Sequence, residues 1–140
     1  GMYSDSLREK FWRTHWQLSP QSNRMGSRLL GKALFDNTVT QGNEKPADML
    51  RSHAVLPGTI QLPSNGLPII LLADAQTTGG YPRIAKVIDA DLWKLAHLPV
   101  GSQITLESCS ETDAIKALKE RHQQLYRMKL AFDAKPLRKP

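Results

Sequence analysis

The 140-residue chain has one cysteine, Cys109, which rules out an internal disulfide and leaves no thiol cluster for a metal. That usage agrees with a reducing compartment. The longest unbroken apolar run, residues 69–73, is far too short to span a bilayer, and no charged-then-apolar leader opens the chain. The expectation is a cytoplasmic protein that does not enter membranes, with Gly1 a cloning remnant ahead of Met2. Phosphate-binding signatures are missing as well. No G-x-G-x-x-G occurs, and "TTGG" has neither the lysine nor the strand-loop-helix setting of a P-loop. His15, His53, His97 and His122 are scattered without metal-ligand spacing, so they are given structural roles and no metal site is expected. Cys109, in "LESCS", has no neighbouring base in sequence and reads as a buried or half-buried thiol rather than a nucleophile.

The net charge of +6 would by itself suggest nucleic acid. Its distribution argues against that. Residues 1–113 hold eleven basic and eleven acidic side chains, while residues 114–140 hold eight basic and two acidic ones. The excess belongs to a solvated basic C-terminal helix and tail, with no basic face interleaved with aromatics elsewhere, and no nucleic-acid partner is expected.

The length suits one domain with a modest core. In "SDSLREKFWRTHW", Ser4 or Asp5 would cap a short helix carrying Leu7, Phe11 and Trp12 on one side. Two strands should then flank the irregular polar segment "PQSNRMG", the second ending near Gly31. Residues 36–57 read as connection with at most one strand or turn. Beyond them, "GTIQLP", "PIILLA", "RIAKVI" and "SQITLE" are short strands, with a turn at "SNG". "DADLWKLAHLPVG" would be one short helix capped by Asp89 or Asp91. A long amphipathic helix follows from Ser110 or Thr112, with Ile115, Leu118, Leu125 and Phe132 near heptad spacing. It would dock on its own domain or on a partner. Strands of this length and spacing favour a closed or sandwich-like β architecture over alternating βαβ units.

Two segments carry more hydrogen-bonding groups than a turn needs. "PQSNRMG" crowds Gln21, Ser22, Asn23 and Arg24 between a proline and a glycine. Arg24 is the natural clamp for a carboxylate, since its guanidinium donates two parallel hydrogen bonds; the alternative is a polar turn whose Asn and Ser satisfy their own backbone. "LADAQTTGGYPRI" leaves a buried strand through Asp74, Gln76, Thr77, Thr78, Gly79, Gly80 and Tyr81. The two glycines would permit positive φ and close approach of a ligand to main-chain N–H groups, and Tyr81-Pro82 is a candidate cis peptide.

In order and spacing, "SPQSNRMG", "PGTIQLPSNGLPIILLADAQTTGGYPRIAKV" and "LPVGSQITL" strongly resemble the second half of the allophanate hydrolase subunit 2 family, also described as biotin-dependent carboxyltransferase-like. That family includes the carboxyltransferase region of urea carboxylase (urea amidolyase) and the C subunit of bacterial 5-oxoprolinase. The resemblance covers about residues 6–108. It implies a mainly β, cyclophilin-like β-barrel with a few helices, spanning residues 2–110, followed by a C-terminal amphipathic helix and basic tail over 111–140. Two departures bear on substrate preference: Ser27 stands where the family usually has an aromatic, and "RSHAVLPG" replaces a serine-glycine approach. The family's first half, with its own glycine-rich motif, is absent, so the chain would be an excised domain or a truncated relative.

By the same resemblance, Arg24 and Asp74 would be the catalytic pair, Arg24 binding an anionic substrate with Asn23 beside it and Asp74 accepting a proton or orienting Arg24. Gln61, Gln76 and Thr78 would hydrogen-bond a ureido or lactam group, Gly79 and Gly80 would let it approach the backbone, and Tyr81 would stack on it. The ligand would be a small planar amide of the urea, biotin or 5-oxoproline class. No cofactor would be bound in isolation, with carboxybiotin the carrier that the resemblance implies. Partners would be a subunit 1-type protein and the missing first-half barrel. No strong general base stands out, so the chain reads as a fragment or subunit of an amidolyase, carboxyltransferase or 5-oxoprolinase system. The alternative is a non-catalytic regulatory or assembly module.

Overall fold

In the computed structural model, which describes residues 3–35, 51 and 53–134, the chain separates into two units, 1–108 and 109–140. The first opens with α1 (Asp5–Arg13), started by Ser4, whose hydroxyl accepts the Leu7 N–H at 3.2 Å. Asp5 in the first turn and Lys10 and Arg13 in the last complement the helix dipole. Leu7 and Phe11, four residues apart, share one face and are buried, while Glu9 and Arg13 pair on the outside at 2.6 Å. Ser4→Ala is expected to cost about 1 kcal/mol, read as a lower urea midpoint at unchanged m-value; an unchanged midpoint would show that the cap contributes nothing.

Among the described residues, eight short strands follow α1. They are β1 (Trp16–Leu18), β2 (Gly26–Leu30), β3 (His53–Ala54), β4 (Thr59–Gln61), β5 (Ile69–Leu71), β6 (Thr78–Gly79), β7 (Arg83–Lys86) and β8 (Gln103–Ile104). Six form an antiparallel sheet in the order β7-β4-β5-β2-β1-β8, and β3 and β6 form a separate two-stranded ribbon. The register sets what each face carries. Ser27, Ile70, Ile60 and Ala85 align across four strands, and Leu18 lies opposite Leu29. This row faces the core, where Leu18, Leu29, Ile60 and Ile70 join Tyr3, Leu7, Phe11, Trp16, Leu34, Phe35, Leu62 and Ile104. The neighbouring row, Arg28, Ile69, Gln61 and Arg83, faces the other way. Tyr3 is buried with its hydroxyl unpartnered among the described residues, and burial pushes its pKa up to about 12, so it is neutral over the whole working pH range.

The "SNG" turn forms as read. Gly66 N–H donates to the Pro63 carbonyl at 3.0 Å and Asn65 Oδ1 accepts from Leu67 N–H at 3.0 Å. Glycine is required there, with φ +75° and with Phe35 N only 2.7 Å from where a Cβ would sit. After β7 a 3-10 turn (Asp89–Asp91) leads into α2 (Leu92–Ala96). Asp91 holds the cap position but makes no capping hydrogen bond, pairing instead with Lys94 at 2.9 Å. In the second unit, α3 (Glu111–Ala134) is capped by Ser110, whose hydroxyl accepts the Asp113 N–H at 3.1 Å. Ile115 and Leu125 on this helix are exposed.

The expectation of a mainly β domain holds, and among the described residues the sheet is open, with β7 and β8 as its two edges. Two expectations are corrected. Cys109 is exposed rather than buried, because regular pairing ends at Ile104 and the chain around Cys109 belongs to no strand. The Tyr81-Pro82 bond is trans, and the Pro82 carbonyl accepts Leu62 N–H at 2.8 Å. Most of the expected 36–57 connection and the end of the basic tail lie outside the described residues. No helix among the described residues is long and apolar enough to cross a membrane.

Candidate functional site

The polar segment between β1 and β2 first serves its own backbone. Ser19 Oγ accepts from Gln21 N–H, and Ser22 Oγ both accepts from Arg28 N–H at 2.9 Å and donates to the Arg28 carbonyl at 3.3 Å. Asn23 and Gly26 exchange backbone hydrogen bonds, and Asn23 Oδ1 accepts Met25 N–H at 2.8 Å. The serines and the asparagine oxygen are therefore engaged in shaping the turn. The amide nitrogen of Asn23 and the Arg24 guanidinium are not used in this way.

A cavity of about 470 Å³ lies over the sheet face opposite the core. Its floor is the row Arg28, Ile69 and Gln61 with Gly26 and Leu71, and its remaining walls are Asn23, Met25, Val55, Ala75, Gln76, Thr78, Gly79, Gly80 and Tyr81. The stretch after β5 thus doubles back as the β3–β6 ribbon, held by Val55 N–H donating to the Thr77 carbonyl at 2.9 Å. Gln61 lines this cavity with only 5% of its surface exposed, and among the described residues its amide forms no hydrogen bond, while its polar atoms stay open to the cavity rather than sealed in the core. An amide so placed is free to take a ligand or a water. Gly79 lies directly against it: a Cβ there would come within 2.9 Å of Gln61 Nε2. Glycine at this position serves close approach and not positive φ, which neither Gly79 nor Gly80 adopts. Tyr81, 43% exposed, stands at the mouth.

Arg24 and Asp74 are elsewhere. They line a second cavity of about 670 Å³, together with the polar Ser22, Asn23 and core-facing Ser27 and the apolar Leu18, Leu72, Leu92, Trp93, Leu95, Leu98 and Val100. Only Asn23 borders both cavities. Seven of the nine anticipated residues, Asn23, Gln61, Gln76, Thr78, Gly79, Gly80 and Tyr81, share the first cavity; Arg24 and Asp74 share the second. The guanidinium that the first cavity does contain, Arg28, was not anticipated, although its place two residues after Gly26 in an alternating strand put it on that face. Trp93, within the helix expected over "DADLWKLAHLPVG", also borders the second cavity, and nothing local in the sequence marks it as cavity wall. No cluster of three or more His, Cys, Asp or Glu that could hold a metal occurs among the described residues.

The family described as carboxyltransferase domain, subdomain A and B, matches residues 2–108. The C subunit of the 5-oxoprolinase of Escherichia coli K12 is 49% identical over 130 residues, 93% of this chain and 39% of the relative; that of Haemophilus influenzae is 44% identical over 125 residues, 89% and 38%. The chain therefore spans about two fifths of the length of these curated relatives. A putative urea carboxylase of Emericella nidulans is 27% identical over 116 residues, 80% of this chain and 9% of that protein. Among solved structures, the Kluyveromyces lactis urea carboxylase superposes with a TM-score of 0.71 at 22% identity, over 86% of this chain and 11% of that one, which is a likeness of fold.

Proposed function

The chain belongs to the carboxyltransferase domain, subdomain A and B, family, and from that premise we propose that its first cavity binds a small planar lactam or ureido ligand of the 5-oxoproline, urea or biotin class. The observation that carries this reading is the Gln61 amide, without a protein partner among the described residues and open to a cavity whose other polar walls are amide, hydroxyl, glycine and guanidinium groups. A lactam or urea presents a carbonyl acceptor beside N–H donors. A carboxamide offers the matching donor and acceptor on one rigid plane, which Asn23, Gln76 and Thr78 supplement. Tyr81 supplies a flat face at the mouth. Arg28 adds a fixed positive charge, so a lactam bearing a carboxylate is favoured over neutral urea.

The biotin ureido ring fits the same donor and acceptor set, and carboxybiotin would enter as a carboxyl-carrying substrate. The residues here would hold it and its acceptor together and meet developing negative charge with the Gln61 and Asn23 N–H groups and Arg28. The first cavity is lined by no carboxylate or imidazole among the described residues. We therefore read the chain as one part of a 5-oxoprolinase- or urea-carboxylase-type system whose proton transfer is supplied by a partner, a division of labour that suits relatives that are themselves single subunits of a 5-oxoprolinase. The same missing base supports the second reading, a binding or assembly module without chemistry of its own. The open sheet would be part of the wall of a cyclophilin-like barrel.

Calorimetric titration with 5-oxoproline, biotin and urea tests the reading. Binding of 5-oxoproline is expected, weakened about tenfold or more by Arg28→Leu while urea binding is unchanged. Failure of all three to bind, with or without a partner subunit, would overturn it.

A further inference from the structure

The second cavity lies on the opposite face of the sheet from the first and carries a different chemistry. Its polar end is built from two segments joined side by side. The β2–β5 register, Gly26 opposite Leu71, is carried one step further by Leu72 N–H donating to the Met25 carbonyl at 3.1 Å, which sets the turn before β2 beside the segment after β5, and residues 22–24 and 73–74 line the same cavity. This end contributes one cation, Arg24, and one anion, Asp74. Elsewhere in this unit exposed neighbours of opposite charge close into pairs: Glu9 with Arg13 at 2.6 Å, Asp91 with Lys94 at 2.9 Å and Asp89 with Lys86 at 3.8 Å. Arg24 and Asp74 border one cavity and form no ion pair with each other. Ser22 Oγ and Asn23 Oδ1 are already engaged by the backbone, so the charged groups dominate this end.

The rest of the lining is hydrocarbon. Leu18, Leu72, Leu92, Leu95 and Leu98 contribute to it, with Trp93 (43% exposed) and Val100 (59% exposed) left open to solvent around the same space. Large exposed apolar side chains gathered at one cavity mark a binding surface. A purely anionic ligand would meet Asp74, and a purely cationic one would meet Arg24. A ligand with both charged groups attached to one carbon and an apolar body satisfies the whole lining. We propose that the second cavity is a binding site for a zwitterionic α-amino acid with a large apolar side chain, its carboxylate on Arg24, its ammonium on Asp74 and its side chain against α2. This site is independent of the lactam-binding reading of the first cavity.

The probe is L-phenylalanine, titrated calorimetrically into the full chain beside phenylalaninamide, which lacks the carboxylate, and N-acetylphenylalanine, which lacks the ammonium. Phenylalanine is expected to bind, and each analogue to bind at least about tenfold more weakly. Arg24→Gln should remove the preference over the amide, and Asp74→Asn the preference over the N-acetyl compound. Both residues are exposed, so the variants should keep the native circular dichroism. Saturating 5-oxoproline should leave phenylalanine binding unchanged. Absence of phenylalanine binding, indifference to both substitutions, or displacement by 5-oxoproline would overturn the proposal. Failure of the first-cavity reading would instead show as absent 5-oxoproline binding with phenylalanine binding intact.

Discussion

Trp16→Ala is expected to destabilise the first unit by about 3–5 kcal/mol, the cost of emptying a fully buried aromatic site. Trp16 is completely buried and lies 6.2 Å from the Phe11 ring, centroid to centroid, so it joins α1 to the sheet. Its neighbours have little freedom to refill the space. Trp16 belongs to a strand paired on both sides, with β2 and with β8. Gly31 packs against the ring so closely that a Cβ would come within 2.8 Å of Cε3. The indole also donates Nε1–H to the Phe11 carbonyl at 3.2 Å, near the end of α1 where carbonyls lack helical partners. Trp16→Phe therefore separates two contributions: it keeps most of the apolar volume but leaves that carbonyl without its donor, for a smaller loss of about 1–3 kcal/mol. Urea unfolding followed by circular dichroism measures both. A loss below about 1 kcal/mol for the alanine variant would show that the site collapses freely and that α1 is not anchored here.

How far these features were legible in the sequence depended on how local their causes are. α1 was legible because Ser4 and the Leu7–Phe11 spacing are both contained within eight residues, and the "SNG" turn because Asn65 and Gly66 specify it by themselves. The strands β4, β5 and β7 were legible from apolar runs between turn residues. Closure of the sheet was not, since it depends on which edges meet, and that is set by pairing between distant segments. The same distinction explains the split of the anticipated site. Residues of the 74–81 stretch are near one another along the chain, but whether Arg24 joins them is decided by the turn that precedes β2. There the Asn23–Gly26 bridge and the Asn23 side chain interrupt simple alternation, and parity counted from Gly26 cannot be carried back through it. Forward from Gly26 the alternation does hold, which is why Arg28 was recoverable and Arg24 was not.

The Gln61–Gly79 contact gives the second large effect, because the glycine expected to let a ligand approach the backbone lies directly against the side chain expected to bind that ligand. Gln61→Leu keeps a similar volume in a site 5% exposed and removes a polar group that has no hydrogen-bond partner among the described residues. Its fold should be unchanged or slightly more stable, whereas binding of 5-oxoproline should weaken by about 10- to 100-fold, the range for losing a buried polar recognition contact of roughly 1.4–3 kcal/mol. Gly79→Ala acts on the same amide from the other side. A Cβ placed 2.9 Å from Gln61 Nε2 must push the carboxamide aside, at the end of a side chain that can rotate, so stability should fall little while affinity falls nearly as far as in Gln61→Leu. If the two substitutions act through one group, the double variant should bind no more weakly than Gln61→Leu alone, since the alanine then has no amide left to displace. Additive losses in that cycle, or a Gln61→Leu variant that binds as the parent does, would show that Gly79 and Gln61 contribute separately or that the ligand lies elsewhere in the fold.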